Sequence, residues 1–204
     1  MNITKGIASP AKFLLQADAL MDLSLHGKPY GANAYLICDQ FIVNRVNEKA
    51  LPGFTNEQAA ELVVFGGQCS DSEINKHVQA ARDFDYIVGI GGGKTLDTAK
   101  AAAHFLGKPV LILPTLASTD APCTAISVIY NDDDTFNRYL FLSKNPDVVL
   151  ADTRVLAEQP PRFFAAGVGD GLATYFEARA CFAAQRDNLI DRKSTRLNSS
   201  HPLD

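Results

Sequence analysis

Apolar and polar positions along this chain follow two different periods, and each change of period marks an element. Short apolar runs recur: AYLIC from Ala34 to Cys38, Glu61 to Phe65, YIVGI from Tyr86 to Ile90, VLIL from Val110 to Leu113 and DVVLAD from Asp147 to Asp152. Runs this short, rich in β-branched and aromatic residues, predict buried strands. Between them lie helix patterns. Pro10 to His26 predicts an N-terminal helix closed by Gly27, and Ser70 with Glu73 forms an S-x-x-E capping box opening a helix through about Arg82. The Ala-rich run from Asp97 to Phe105 predicts a third helix, ended by Gly107. Ala125 to Tyr130 and Tyr139 to Leu142 flank Asn131 to Thr135, which reads as a hairpin turn with solvated acids, because Asp132, Asp133 and Asp134 lack the remaining ligands of a calcium loop. From Pro160 the pattern becomes helical. Gly167 to Gly171 interrupts it before LATYFEARACFAA resumes, so Asp170 reads as the N-cap of a new helix, with a metal ligand as the alternative.

Composition narrows the classes. The 204 residues are 47% hydrophobic, enough for a real core, yet no apolar run reaches the length of a membrane span, so one large or two small soluble domains are expected. A net charge of -4, with scattered basic residues, argues against a nucleic-acid surface. The N-terminus lacks the apolar region of a signal peptide, and the cytoplasm is the expected setting. Cys38, Cys69, Cys123 and Cys181 form no C-x-x-C pair and read as reduced, buried small hydrophobes. His26, His77, His104 and His201 show no paired metal-ligand spacing, and His77 and His104 read as ordinary helix residues.

The candidate chemistry centres on Gly91, Gly92 and Gly93, between the YIVGI strand and the Asp97 helix. Glycines there let backbone N–H groups approach a ligand where the helix dipole is positive, which is a seat for a phosphate or pyrophosphate. The P-loop pattern fails at Val88, and the dinucleotide fingerprint fails at Lys94 or Leu96, depending on where the count starts. Asp39, just past the AYLIC strand, is placed either to accept hydrogen bonds from ribose hydroxyls or to cap a helix. It precedes the glycine turn, so the first reading requires a topology other than the common dinucleotide-binding order. The loop opening PTLASTDAPC offers Thr115, Ser118, Thr119 and Thr124 as neutral partners and Asp120 as its one charge.

Four stretches taken together, GIGGGKTLDTAK, PTLASTDAPCTAISVIY, SKNPDVVLADT and AAGVGDGLATYFEARAC, resemble the glycerol dehydrogenase branch of the iron-containing alcohol dehydrogenase superfamily. The likeness runs from Ile3 to about Cys181. Dehydroquinate synthase and glycerol-1-phosphate dehydrogenase share the fold and a glycine-rich motif, but ASTDAPC resembles the glycerol enzymes. The resemblance implies an α/β, Rossmann-like parallel-sheet NAD-binding domain over residues 1–159, followed at 160–190 by the start of an all-helical metal-binding domain, the dehydroquinate synthase-like fold. Carried over by position, Asp39 would hold the adenosine ribose, and Gly92, Gly93, Lys94 and Asp97 would surround the pyrophosphate. Thr115, Ser118, Thr124, Ile126 and Tyr130 would line the rest of the NAD site. Asp120 would contact glycerol, and Asp170 would be the first ligand of zinc or iron, which would act as Lewis acid on the substrate hydroxyl. The implied reaction is oxidation of glycerol to dihydroxyacetone. A homo-oligomer is implied for the complete protein, with no nucleic-acid or membrane partner.

The two histidine metal ligands of the family have no counterpart here, and after about Ile190 the sequence turns polar and loses the likeness. The expectation is a truncated chain with a non-native or disordered tail over residues 191–204. A catalytically inactive NAD-binding fragment is the alternative, and a lyase of the dehydroquinate synthase type comes third.

Overall fold

The computed structural model describes residues 8–55 and 57–184, the side chains of 181 and 182 excepted. The tail expected after Ile190 therefore lies outside the described residues, as does the Cys181 side chain.

Strands and helices occur in the order β1 (Lys12–Gln16), α1 (Leu23–Gly27), β2 (Asn33–Cys38), α2 (Val43–Arg45), β3 (Ala59–Val64), α3 (Asp71–Ala80), β4 (Tyr86–Gly91), α4 (Gly93–Leu106), β5 (Val110–Pro114), β6 (Ile126–Tyr130), β7 (Phe136–Phe141), β8 (Val148–Asp152), α5 (Thr153–Ala157) and α6 (Pro161–Ala184). A π turn over Val46–Ala50 continues α2, and a short 3-10 turn, Ala19–Asp22, precedes α1. Six strands form one parallel sheet in the order β1-β8-β5-β4-β2-β3, while β6 and β7 make a separate antiparallel hairpin.

Two apolar layers flank that sheet. On one face Leu20, Leu23, Ile42 and Val46 pack on Leu36, Val88, Ile90 and Leu111; on the other Leu96, Ala99, Ala102 and Ala103 pack on Tyr35, Ile37, Ile87 and Ile112. Alternate residues of each central strand thus serve opposite layers, which is why the strands read as unbroken apolar runs. The connection from β2 runs outward to β3, and the next returns past β2 to β4. The direction of winding reverses between β2 and β4, and in open α/β sheets ligands collect in the crevice at such a reversal.

Three expectations need correction. No helix spans Pro10 to His26: residues 12–16 form the edge strand β1, paired in parallel with β8, and only the last turns of the segment are helical. Helix-forming Leu, Ala and Gln are overridden by the free edge of β8 and by the Asp152 carboxylate, which accepts the N–H groups of Asp18 (3.2 Å) and Leu20 (3.0 Å). The glycines from Gly167 to Gly171 break nothing: α6 is continuous, so Asp170 sits mid-helix and is not an N-cap. The capping box is half formed, since Ser70 accepts the Glu73 N–H at 3.4 Å, whereas the Glu73 carboxylate turns to the Gly66 N–H (2.8 Å) and His77 (2.9 Å).

His77 lies in α3 as expected of a helix residue, but it is fully buried, with Nδ1 3.0 Å from the Tyr35 hydroxyl. Cys38 and Cys69 are buried free thiols, pushed up to about 12 chiefly by burial, and Cys123 is free and half-buried. Among the described residues no helix is long and apolar enough to cross a membrane.

Candidate functional site

The crevice between β2 and β4 brings together what the sequence keeps apart. The two strands are parallel neighbours with Cys38 opposite Ile90, and the Asp39 N–H donates to the Ile90 carbonyl at 2.8 Å. Asp39 therefore lies against the glycine turn: a Cβ on Gly91 would stand 2.9 Å from the Asp39 Cβ and 2.8 Å from that of Thr95. Asp39 caps no helix. Its Oδ1 accepts the Phe41 N–H at 3.1 Å in a local turn, and α2 starts later without a side-chain cap. Thr115 continues from β5 on the other flank of β4, its N–H donating to the Gly91 carbonyl at 3.0 Å.

Helix α4 opens at Gly93 with Gly92 as N-cap and no side-chain cap, so the backbone donors of its first turn face the mouth of the crevice. Beside that turn a cavity of about 440 Å³ is bounded by Gly93, Lys94 and Asp97 of α4, by Ser118 and Thr124 of the loop after β5, and by Ile126 and Tyr130 of β6. A second cavity, of about 650 Å³, lies between the same loop and α6 and takes in Asn145, Asp170 and Thr174. Thr119, Asp120 and Thr124 border both. The loop is thus the shared wall, with a single carboxylate on it.

Charges are disposed unevenly. Partial desolvation by the cavity walls, and then the Asp170 carboxylate, push the Asp120 carboxyl above the usual range, with Lys100 opposing. Lys94, expected around the pyrophosphate, pairs with Asp134 at 3.0 Å and lies 5.0 Å from the centroid of the Tyr130 ring. The hairpin acids are therefore not merely solvated: Asp134 also accepts from Gln68, and Asp132 from the Ser72 hydroxyl at 2.8 Å. Asp97 is buried with both oxygens against protein groups, Oδ1 2.9 Å from Lys100 Nζ and Oδ2 accepting the Val128 N–H at 2.9 Å.

Among the described residues a resident metal finds too few ligands. Asp170 and Asp120 face one cavity, but among the described residues no three His, Cys, Asp or Glu side chains come together as a metal site. A catalytic zinc site takes three protein ligands and an open position. These residues do not supply that set.

Two features of the site went unread in the sequence. Lys100 is fully buried inside α4, and its signal was a lone lysine among Thr98, Ala99, Ala101, Ala102 and Ala103 in a helix apolar on nearly every side. Gly167 is a contact point: a Cβ there would stand 1.9 Å from the Ala117 carbonyl oxygen, so its bare backbone lets α6 lie against the loop. A run of glycines in one sequence does not distinguish that from a helix break.

A family model described as iron-containing alcohol dehydrogenase matches residues 10–153. A glycerol dehydrogenase of Escherichia coli is 44% identical over 192 residues, covering 93% of this chain and 52% of its own length. One of Thermotoga maritima is 46% identical over 185 residues, with coverages of 90% and 50%. The crystal structure of a probable glycerol dehydrogenase from Sinorhizobium meliloti 1021 superposes with a TM-score of 0.84 at 36% identity, covering 91% of this chain and 51% of that one. The chain spans about half the length of the curated relatives it matches.

Proposed function

The chain belongs to the iron-containing alcohol dehydrogenase family, and from that premise we propose that it binds NAD in the β2–β4 crevice as part of a polyol dehydrogenase that oxidises glycerol to dihydroxyacetone. The observation that carries the reading is Asp39 seated against Gly91 where the winding of the sheet reverses. A dinucleotide laid there puts its adenosine ribose at Asp39 and its pyrophosphate at Gly92, Gly93 and the first turn of α4. Lys94 then exchanges Asp134 for phosphate oxygens. Asp97, expected beside the pyrophosphate, spends both carboxylate oxygens on Lys100 and the Val128 N–H and so lies behind that turn rather than against the phosphates. Thr115, Ser118, Thr124, Ile126 and Tyr130 line the path of the nicotinamide half, which when bound supplies the hydride acceptor.

Asp120, open to both cavities, accepts hydrogen bonds from polyol hydroxyls. Zinc or iron belongs to the family reading, with Asp170 as one ligand, but the described residues do not complete a site. The second reading for this polypeptide is nucleotide binding without turnover. The division at residues 159 and 160 into nucleotide-binding and helical units, a cytoplasmic setting and a homo-oligomeric complete protein are parts of the same proposal.

A carboxylate about 4 Å from a 2′-phosphate is disfavoured by about 4 kcal/mol per unit charge at an effective dielectric near 20, so NAD is preferred over NADP. Calorimetric titration of both nucleotides tests this. Equal affinities, or an Asp39→Gly variant that gains nothing for NADP, would remove the assignment. Glycerol-dependent NADH formation by the 204-residue chain with zinc present would overturn the second reading.

A further inference from the structure

Lys100 presents an oddity that core packing does not require. Its ammonium, fully buried, donates to the carbonyls of Ala121 (2.7 Å), Ile126 (2.6 Å) and Thr124 (3.3 Å) and lies 2.9 Å from Asp97 Oδ1. Asp97, one turn earlier on α4, holds the following residues: its Oδ2 accepts the Val128 N–H at 2.9 Å and its carbonyl accepts the Ser127 hydroxyl at 2.9 Å. A buried ion pair of this kind is often no more stabilising than an apolar pair of equal volume, so filling space does not explain it. What the pair does is fasten the backbone from Ala121 to Val128 to the helix whose first turn faces the crevice. That backbone carries Thr124 and Ile126 and follows directly on Asp120.

We propose that Lys100, with Asp97 as its counter-charge, is a positioning residue for the nicotinamide half of the dinucleotide and for Asp120. It sets the distance between the phosphate-binding turn of α4 and the loop beyond β5. The inference rests on the NAD reading above and adds a division of labour to it. The adenosine and diphosphate are held by Asp39 and the glycine turn, which Lys100 does not touch, while the remainder of the nucleotide is held by a loop that Lys100 ties to α4 through the carbonyls of Ala121, Thr124 and Ile126.

The test compares NAD with ADP, which carries the adenosine and diphosphate alone, by calorimetry on the whole chain. The double variant Lys100→Met/Asp97→Asn removes both buried charges and keeps the volume. It is expected to bind ADP within twofold of the parent but NAD at least tenfold more weakly, and to exchange the amide hydrogens of residues 121–128 faster while those of β2 and β4 stay protected. A merely structural role would weaken both nucleotides together, and that result overturns the proposal, as does an unchanged NAD-to-ADP ratio. Should the double variant fail to fold, Asp97→Asn alone keeps an acceptor for Val128 and the three carbonyls around Lys100. A ratio lowered about threefold then supports the proposal and an unchanged ratio overturns it. If the parent chain binds ADP and NAD equally, the inference fails while the crevice stands; if it binds neither, the NAD reading itself fails and takes the inference with it.

Discussion

Gly89, in the middle of β4, faces α4 so closely that a methyl group there has no room. A Cβ built on it stands 2.6 Å from the Ala99 Cβ, about 0.8 Å short of the 3.4 Å at which ordinary contact begins, with Ile112 Cδ1 at 3.3 Å. Ala99 is fixed to the helix backbone, so Gly89→Ala must push α4 off the sheet rather than turn a side chain aside. Overpacking of that kind costs about 1–3 kcal/mol. With a urea slope of about 2 kcal/mol per molar, the midpoint should fall by roughly 0.5–1.5 M. NAD affinity should fall with it, because the displaced helix carries the first-turn donors away from Asp39. The decisive measurement is the double variant Gly89→Ala/Ala99→Gly, which moves the methyl from helix to strand and leaves only the flexible end of Ile112 to adjust. Ala99→Gly alone loses about 1 kcal/mol of helix propensity. The double variant should nevertheless be more stable than the sum of the two single losses by at least about 1 kcal/mol, and should regain NAD binding. Strict additivity in urea unfolding would refute the claim that this one contact sets the spacing of α4.

Gly167→Ala should loosen α6, since the new methyl meets the Ala117 carbonyl at 1.9 Å, whereas Gly169→Ala and Gly171→Ala, with nothing within 4 Å, should stabilise the helix by up to about 1 kcal/mol each; proteolysis of α6 and thermal unfolding distinguish the two directions. Acid should weaken the fold through His77, whose protonation burial opposes, with Lys76 adding to burial and Glu73 working against it. Its native value lies below the unfolded value of about 6.5, so stability is fully present above that pH and falls as pH drops toward the native value, by at most about 1.4 kcal/mol per unit, because only the unfolded chain takes up the proton. Urea curves between pH 7.5 and 5 should show that slope in the parent and not in His77→Gln, and equal slopes would rule it out.

The central strands were legible because burial on both faces leaves an unmistakable apolar signature, and β2, β4, β5 and β8 lie within a residue or so of the runs that predicted them. The turn at Gly91 to Gly93 was legible for a related reason, since little but a close backbone approach calls for successive glycines. What a single sequence does not hold is adjacency. β1 looked like a helix because its local preferences are helical, and its strand state depends on a partner far along the chain. Nothing local marks Lys100 and Asp97 as a pair, and only the course of residues 121–128 over them reveals a clamp. The setting of Asp39 depended likewise on β3 being placed outside β2, an order no local pattern states.

The pairing of β1 with β8 also dictates the order in which the molecule can be assembled. Asp152 takes the N–H groups of Asp18 and Leu20 across 134 and 132 positions of sequence. At about 5–20 residues per second, a ribosome needs on the order of ten seconds or more to make the residues between them. During that interval the segment of β1, carrying Phe13 and Leu15, has no sheet neighbour to pair with, and its unpaired edge and apolar side chains are open to other chains. The edge of the sheet at β8 is therefore filled by a segment made long before it, and the sheet cannot be completed until residue 152 has been added.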